Sequence, residues 1–415
     1  MIVLEHPAIG GLLGATRWAT EGNFVQGKVT VRRLGAGMVA LVLATGMSAC
    51  TTAATPAGTG GLAVIVGGHS NMPRAAVAGK VAAARDRAVS TDATVAILVA
   101  DGAPFVLQAG RLQARSSNSV IQQRDREQNR TMIDTSVLNA RARTRETNLL
   151  DALDLAAREI SSAPGEHTIV ALDSGLSTVA PLDFTQPGLL DSDPTELATS
   201  LKNARELPDL TGDAVVFQGL GDTAAPQEKV GRPQRVSLID IWTAIARAAG
   251  ARDVRIEESP LVGEPTSGLP PVTPVRLGTG LTCSGSVVTL TGGDVAFQAD
   301  SAVFKDGAAA KALVMPIAKQ LQGAHVTATL TGTTANVGAK PGQRDLSEQR
   351  ARAVAALLVD LGVPADRLTS FGRGSDFPGY VPDHDAAGNL IPAAAAMNRK
   401  VTIELSGTPS GGLCS

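Results

Sequence analysis

Aromatic side chains are scarce: one Tyr, two Trp and eight Phe make up 3% of the chain. Sugars and nucleobases are held by stacking on exposed rings, so a stacking platform is not expected. There is no basic surplus either. Thirty-seven Lys and Arg stand against 39 Asp and Glu, a formal charge of −2, which excludes the clustered positive footprint of a nucleic-acid binder. Histidine is limited to five residues and cysteine to three, which leaves little material for a metal centre. The glycine-rich run "GLGDTAAP" at 219–226 lacks both the Lys-Ser/Thr of a phosphate loop and the G-x-G-x-x-G spacing, and no cofactor is expected. What remains is 415 residues, 44% hydrophobic and 18% charged, enough for two or three globular domains.

The N-terminal part has a directional pattern. Lys28, Arg32 and Arg33 precede an apolar run at 34–47, and small residues follow. This is the order of a secretory signal, and the run is shorter than the ~20 residues that span a bilayer. It ends in Met47-Ser48-Ala49-Cys50, which resembles a bacterial lipobox. That resemblance implies a diacylglycerol on Cys50, the new N-terminus, and anchorage to a membrane through acyl chains. Residues 1–27 fit no part of a signal, and a start codon near Val29 or Val31 would account for them. Residues 50–60, rich in Thr, Ala and Gly, form a tether without core-forming capacity. With Cys50 acylated, Cys283 and Cys414 are left as an even pair in an oxidising compartment, and a disulfide between them is expected.

From 61 to 258 short β-branched apolar runs alternate with amphipathic ones. Strands are expected at 62–66, 94–100, 168–172, 214–218 and 254–256, with a further one within 105–112. Helices are expected at 74–89, 149–160, 195–204 and 238–249, and a polar helix follows Ser117. The alternation specifies an α/β domain with a doubly wound, mostly parallel sheet. Its loops at 67–73, 145–153 and 172–178 resemble, in order, those of the von Willebrand factor A domain. In that family D-x-S-x-S, a Thr and an Asp hold a divalent cation. Here Gly67, His69 and Asn71 stand on the D-x-S-x-S positions, and only Thr147 and Asp173 remain as candidate ligands. One hydroxyl and one carboxylate leave Mg²⁺ short of donors, so no bound metal is expected. The plainer roles are Thr147 capping a helix and Asp173 capping its loop. Gly68-His69-Ser70-Asn71-Met72 is compared with the nucleophile elbow G-x-S-x-G, but Met replaces its last Gly and only His167 lies downstream in the domain.

Residues 259–281 hold five prolines and read as an extended linker ending at 282. Beyond it, from 283, come a strand at 295–297, an amphipathic helix carrying Ala310, Leu313, Ile317 and Leu321, a strand at 326–330, a second helix entered through Asp345-x-x-Glu348, and strands after 366 and at 397–405. Gly332-Thr333-Thr334-Ala335-Asn336-Val337-Gly338, then Leu346-Ser347-Glu348-Gln349-Arg350-Ala351-Arg352-Ala353-Val354, then Asn398-Arg399-Lys400-Val401 resemble three successive motifs of the OmpA-like C-terminal domain. The resemblance implies an α+β fold over 283–415 and binding of peptidoglycan through the zwitterionic end of diaminopimelate. In the family an Arg takes the carboxylate and an Asp takes the ammonium. Arg350 matches the Arg; Ala335 stands in place of the Asp, Thr333 in place of a His, and Gln343 in place of an Asn. The implied contact residues are Arg350, Thr334, Gln343, Asn398 and Arg399, with Asp345 or Asp376 as substitute acids. "PDHDAAGN" at 382–389 is read as a solvated loop.

The expectation is therefore a non-enzymatic, lipid-anchored protein of the cell envelope, in the outer membrane where the cell has two. It associates with peptidoglycan and presents an α/β module to an unknown envelope protein. The alternatives are an envelope enzyme, or an assembly scaffold that has lost diaminopimelate binding.

Overall fold

In the computed structural model the described residues are 59–114, 117–278, 280–292, 295–322 and 326–407. The signal segment, Cys50, nearly all of the tether and Cys414 lie outside them.

The first sheet is built from β1 (Gly61–Val66), β2 (Thr94–Val99), β3 (Phe105–Arg111), β4 (His167–Leu172), β5 (Ala214–Gln218) and β6 (Asp253–Glu257). Its order is β3-β2-β1-β4-β5-β6, parallel throughout except for the antiparallel edge strand β3. Both faces are covered, which is why the strands read as continuous apolar runs. Ala63 and Ile65 face one core; Leu62, Val64 and Val66 face the other. Helices α1 (Gly79–Ser90) and α2 (Ser119–Asn139) cover the second face, and α3 (Leu149–Ile160), α4 (Pro194–Ala204) and α5 (Arg232–Ala248) the first. Local signals set their starts. Asn148 caps α3 by accepting from the Asp151 N–H (3.1 Å), and Asp193-Pro194 opens α4, with Asp193 accepting from Thr195 and Glu196 N–H.

Two helix boundaries differ from expectation. α1 begins at Gly79 rather than 74, because Arg74 is held as extended backbone in an antiparallel bridge to Gly263, its N–H donating to the Gly263 carbonyl (3.0 Å). α5 begins at Arg232, ahead of the apolar stripe, with Pro233 pre-set for its first turn. The proline-rich segment is extended, and it is laid along the module rather than hanging free. Leu261 and Val275 are buried in the two cores, and the Gln227 amide pairs with both backbone groups of Val275 (2.7 and 2.8 Å).

The second sheet comprises β7 (Leu281–Ser284), β8 (Val287–Thr291), β9 (Thr327–Gly332), β10 (Leu368–Gly372) and β11 (Lys400–Ser406), in the order β10-β9-β11-β8-β7. Helices α6 (Gly307–Leu321) and α7 (Lys340–Asp360) pack on it, burying Val314, Ile317, Val354 and Leu358. A short helix, α8 (Pro392–Asn398), precedes β11. Several expectations change here. Residues 295–297 form no strand; Phe297 makes only a bridge to Phe304 and stacks on it (centroids 4.6 Å). The β7–β8 hairpin carries Cys283 and takes its place. α7 starts at Lys340 with Pro341 in its first turn, so Asp345 lies inside the helix and caps nothing.

The two sheets dock through α4 and α8. Ala393 of α8 is buried in the core of the first module. Gly188 sits under it at φ +84°, where an added Cβ would lie 2.5 Å from the Ala393 carbonyl oxygen. Inside the first module Trp242 is fully buried, tilted against Phe217 (centroids 6.0 Å) and donating to the Gly175 carbonyl (2.9 Å). Trp242→Ala is expected to destabilise this module by about 3–5 kcal/mol, the range for deleting a buried aromatic ring. A urea midpoint unchanged from the parent would contradict this packing.

Candidate functional site

Two places gather polar side chains. The first is the carboxyl end of β1, β2 and β4, at the switch point of the first sheet, where ligands settle in open α/β folds. Asp101 at the end of β2 accepts from the Gly102, Arg143 and Thr144 N–H groups and the Thr144 hydroxyl, which pins the loop that carries Thr147. Thr147 then donates to the Ala100 carbonyl (2.9 Å), and His69 places Nε2 3.2 Å from the same oxygen. Asp173 accepts from the Gly175 N–H (2.7 Å) through one oxygen. Its other oxygen and His69 Nδ1 are buried without partners among the described residues.

These residues do not suit a hard divalent ion. A Cβ on Gly67 would lie 2.3 Å from Asp173 Oδ2 and 2.4 Å from the Met72 sulfur, so a thioether crowds the position where oxygen donors would be needed. Burial also pushes the Asp173 carboxyl up, against the pull of the Gly175 N–H and of His69. Ser70 and His167 do not form a pair. Ser70 follows the carboxyl end of β1, whereas His167 opens β4 at the other edge, a strand length of about 20 Å away. There it sits 3.2 Å from Asp213.

The second place is a cleft of about 530 Å³ between the two sheets. Arg350 of α7 forms part of its wall and is only 7% exposed. Its Nε donates to the Ser301 carbonyl (2.9 Å) and its guanidinium lies over Phe297 at 5.2 Å. Neither terminal nitrogen has a partner among the described residues. Burial, helped by repulsion from Arg399, lowers its pKa to about 10, against the pull of Asp300; it still carries its charge at neutral pH. Thr334, beside Ala335 in the same wall, has a buried hydroxyl without a partner among the described residues. The start of α4 lines the same cleft, and there Glu196 takes Arg399 in a two-pronged ion pair (2.6 and 2.8 Å). The segment containing Phe297, Thr334, Gln343 and Arg350 is what the family comparison recognises.

Residues 296–386 match the OmpA family. Among solved structures the chain is similar to the peptidoglycan-associated lipoprotein from Burkholderia pseudomallei, with 26% identity over 27% of this chain and 88% of that one and a TM-score of 0.23. It is also similar to the cell wall anchor of the T6SS from Pseudomonas aeruginosa (29% identity, 29% of this chain, 81% of that one, TM-score 0.24). A third is the periplasmic domain of Helicobacter pylori MotB (18% identity, 32% and 82% covered, TM-score 0.25). A search of curated proteins finds no match.

Within the OmpA-family segment and its flank, the expected contact residues divide by what they already hold. The Gln343 amide donates to the Gly338 carbonyl (2.9 Å) and accepts from the Ser375 hydroxyl (2.6 Å), so it shapes the 334–338 loop from below. Both N–H bonds of the Asn398 amide go to the Val381 carbonyl and Asp383, and its oxygen accepts from the Val381 N–H; it is a clamp, and no donor is left for a ligand. Asp383 is fully buried. Burial alone would raise it, yet donation by Tyr380, Asn336, Asn398 and His384 holds it below the usual carboxylate range. The "PDHDAAGN" loop is thus anchored on Asp383. Asp345 and Asp376 are exposed and outside the cleft, Asp376 lying 3.8 Å from Arg344. Of the acids that do line the cleft, Asp300 lies in the same segment as Arg350, whereas Asp191, Asp193 and Glu196 sit far away in sequence. The Asp193-Pro194 signature announces the helix that carries Glu196 and says nothing of what it faces.

The buried carboxyl of Asp173 gives a pH test. A group raised on folding keeps its proton where the unfolded chain has released it, so stability falls as pH climbs from the unfolded value of ~3.9 through the folded one. Asp173→Asn keeps an oxygen for the Gly175 N–H and removes that dependence. Urea midpoints are expected to favour the variant over the parent at pH 7 and not at pH 3.5. An identical pH response in both proteins would mean that Asp173 is ionised in the fold.

Proposed function

We propose that this chain is a non-enzymatic cell-envelope lipoprotein that associates with peptidoglycan through its OmpA-family domain and presents its α/β module to a protein partner. The observation that carries the reading is Arg350: a charged, nearly buried guanidinium on the family motif, with two unpartnered nitrogens in a cleft. Such a fork is built to take a carboxylate in parallel hydrogen bonds. A free carboxylate at the end of a diaminopimelate stem is the matching group. The separation of Ser70 from His167 argues against the hydrolytic alternative. The sheet order with an antiparallel edge strand is consistent with a von Willebrand A-like module whose cation site has been replaced by His69, Met72 and Asp173. The proposed domain limits are 61–258 for that module and 283–415 for the wall-associating one, joined by the strap at 259–282.

Anchorage is proposed to come from acyl chains on Cys50. Among the described residues no helix is long and apolar enough to cross a membrane. Cys283, on the edge strand β7, is proposed to pair with Cys414 and tie the tail to the hairpin. Mass spectrometry of the membrane-extracted chain, without reductant, is expected to find a diacylglyceryl-modified Cys50 as first residue and a peptide linking Cys283 to Cys414. An unmodified Cys50 peptide continuous with residues before it would remove the lipid anchor from this reading.

Sedimentation of the detergent-solubilised full chain with diaminopimelate-type peptidoglycan tests the wall contact. Arg350→Ala is expected to weaken binding about 10- to 100-fold, the value of one charge-assisted hydrogen bond of ~1.5–3 kcal/mol. Ala335→Asp, which returns a carboxylate to the motif, is expected to tighten it. Undiminished binding by Arg350→Ala would sink the proposal.

A further inference from the structure

The cleft has a feature that neither module has alone: both modules contribute charged side chains to its lining. Arg350 and Arg399 belong to the second, and Glu196 stands at the first turn of α4. Arg399 connects them, since it is paired with Glu196 and close enough to Arg350 to repel its charge. The other acids at the rim are less suited. The Asp193 carboxylate caps α4, and Asp300 is exposed on the near side of Arg350, where it opposes an incoming carboxylate. Glu196 is three-quarters buried, and an ionised carboxylate has about four acceptor positions, of which Arg399 uses two. Between the charges the wall is apolar: Val295, Phe297, Ala335 and Val354 face the space. A charged guanidinium with free nitrogens, an acid from the other module and apolar side chains in one cleft match a ligand with a carboxylate, an ammonium and a short aliphatic chain.

We propose that the cleft is a composite site for an aliphatic amino-acid zwitterion, in which Arg350 takes the carboxylate and Glu196, from the α/β module, takes the ammonium. This rests on the wall-association reading and deepens it: the carboxylate missing at Ala335 is supplied from outside the OmpA-family domain. The ligand's ammonium joins Arg399 on the Glu196 carboxylate, and the unpartnered Thr334 hydroxyl lies in the same wall. Recognition then requires the two modules to be docked, so the α/β module is part of the binding site as well as a platform for a partner.

The test is isothermal titration of the full chain in detergent with two probes, free meso-diaminopimelate and pimelate, the same carbon chain without amino groups. Glu196→Gln keeps the shape of the side chain and removes its charge. It is expected to weaken diaminopimelate about 10- to 100-fold, while pimelate binding holds or tightens because Arg399 is freed. Adding Ala335→Asp to Glu196→Gln is expected to restore at least part of the loss. Arg350→Ala is expected to weaken both probes. Diaminopimelate binding that Glu196→Gln leaves unchanged or strengthens would overturn the composite site and make the Glu196–Arg399 pair a latch or a strut. In that case loss of both probes in Arg350→Ala leaves the wall-association reading standing. Failure of the parent chain to bind diaminopimelate overturns the composite site, and binding of both probes undiminished by Arg350→Ala overturns the reading beneath it. Equal thermal midpoints for parent and Glu196→Gln show that any loss is not unfolding.

Discussion

The close approach of Gly188 to the carbonyl of Ala393 governs the arrangement of everything around it. It lets a short helix of the second module sink a residue into the core of the first. Once α8 is seated there, Arg399 at its end is delivered to Glu196, and the cleft between the sheets acquires its far wall. Any side chain at position 188 would meet backbone rather than a movable group, besides having to adopt a positive φ. An exposed ion pair alone contributes little. Here the pair sits beside an apolar contact that fixes its geometry.

The parallel sheet was legible because burial on both faces leaves a mark in composition. Runs such as Leu62–Val66 have no polar alternation, and a covered strand is the physical reason. The helix at 149–160 was placed to the residue, although Asn148 caps it and not Thr147, whose hydroxyl goes to the Ala100 carbonyl. The failures share a cause, which is that tertiary contacts overrode local preference. The Arg74 backbone was claimed by the strap at Gly263, so α1 starts late. Phe297 was needed against Phe304 and Arg350, so it makes an isolated bridge and no strand. The hairpin containing Cys283 is short, Thr- and Ser-rich, and carries no turn signal stronger than Ser-Gly.

The candidate site was legible by halves. Arg350, Thr334 and Gln343 could be found because they lie in motifs, and motif spacing survives in sequence. Glu196 lies about 150 residues before Arg350, on a different sheet, and nothing in its neighbourhood distinguishes it from any acid at a helix start. Asn398 shows the opposite limit. A motif can preserve a residue for the loop it holds rather than for a ligand it touches, and only its saturated hydrogen bonds to Val381 and Asp383 separate the two roles.

In the second sheet β11, the last strand in sequence, is the central one, with β9 on one side and β8 on the other. Its pairing with β8 closes a loop of more than 100 residues, among the most entropically costly contacts in the chain. Until residues 400–406 have been synthesised, β8 and β9 each lack a neighbour and present open edges. The module is therefore assembled from its rims inward, and a ribosome that stops short of Lys400 leaves two unpaired strand edges in place of a partly finished domain.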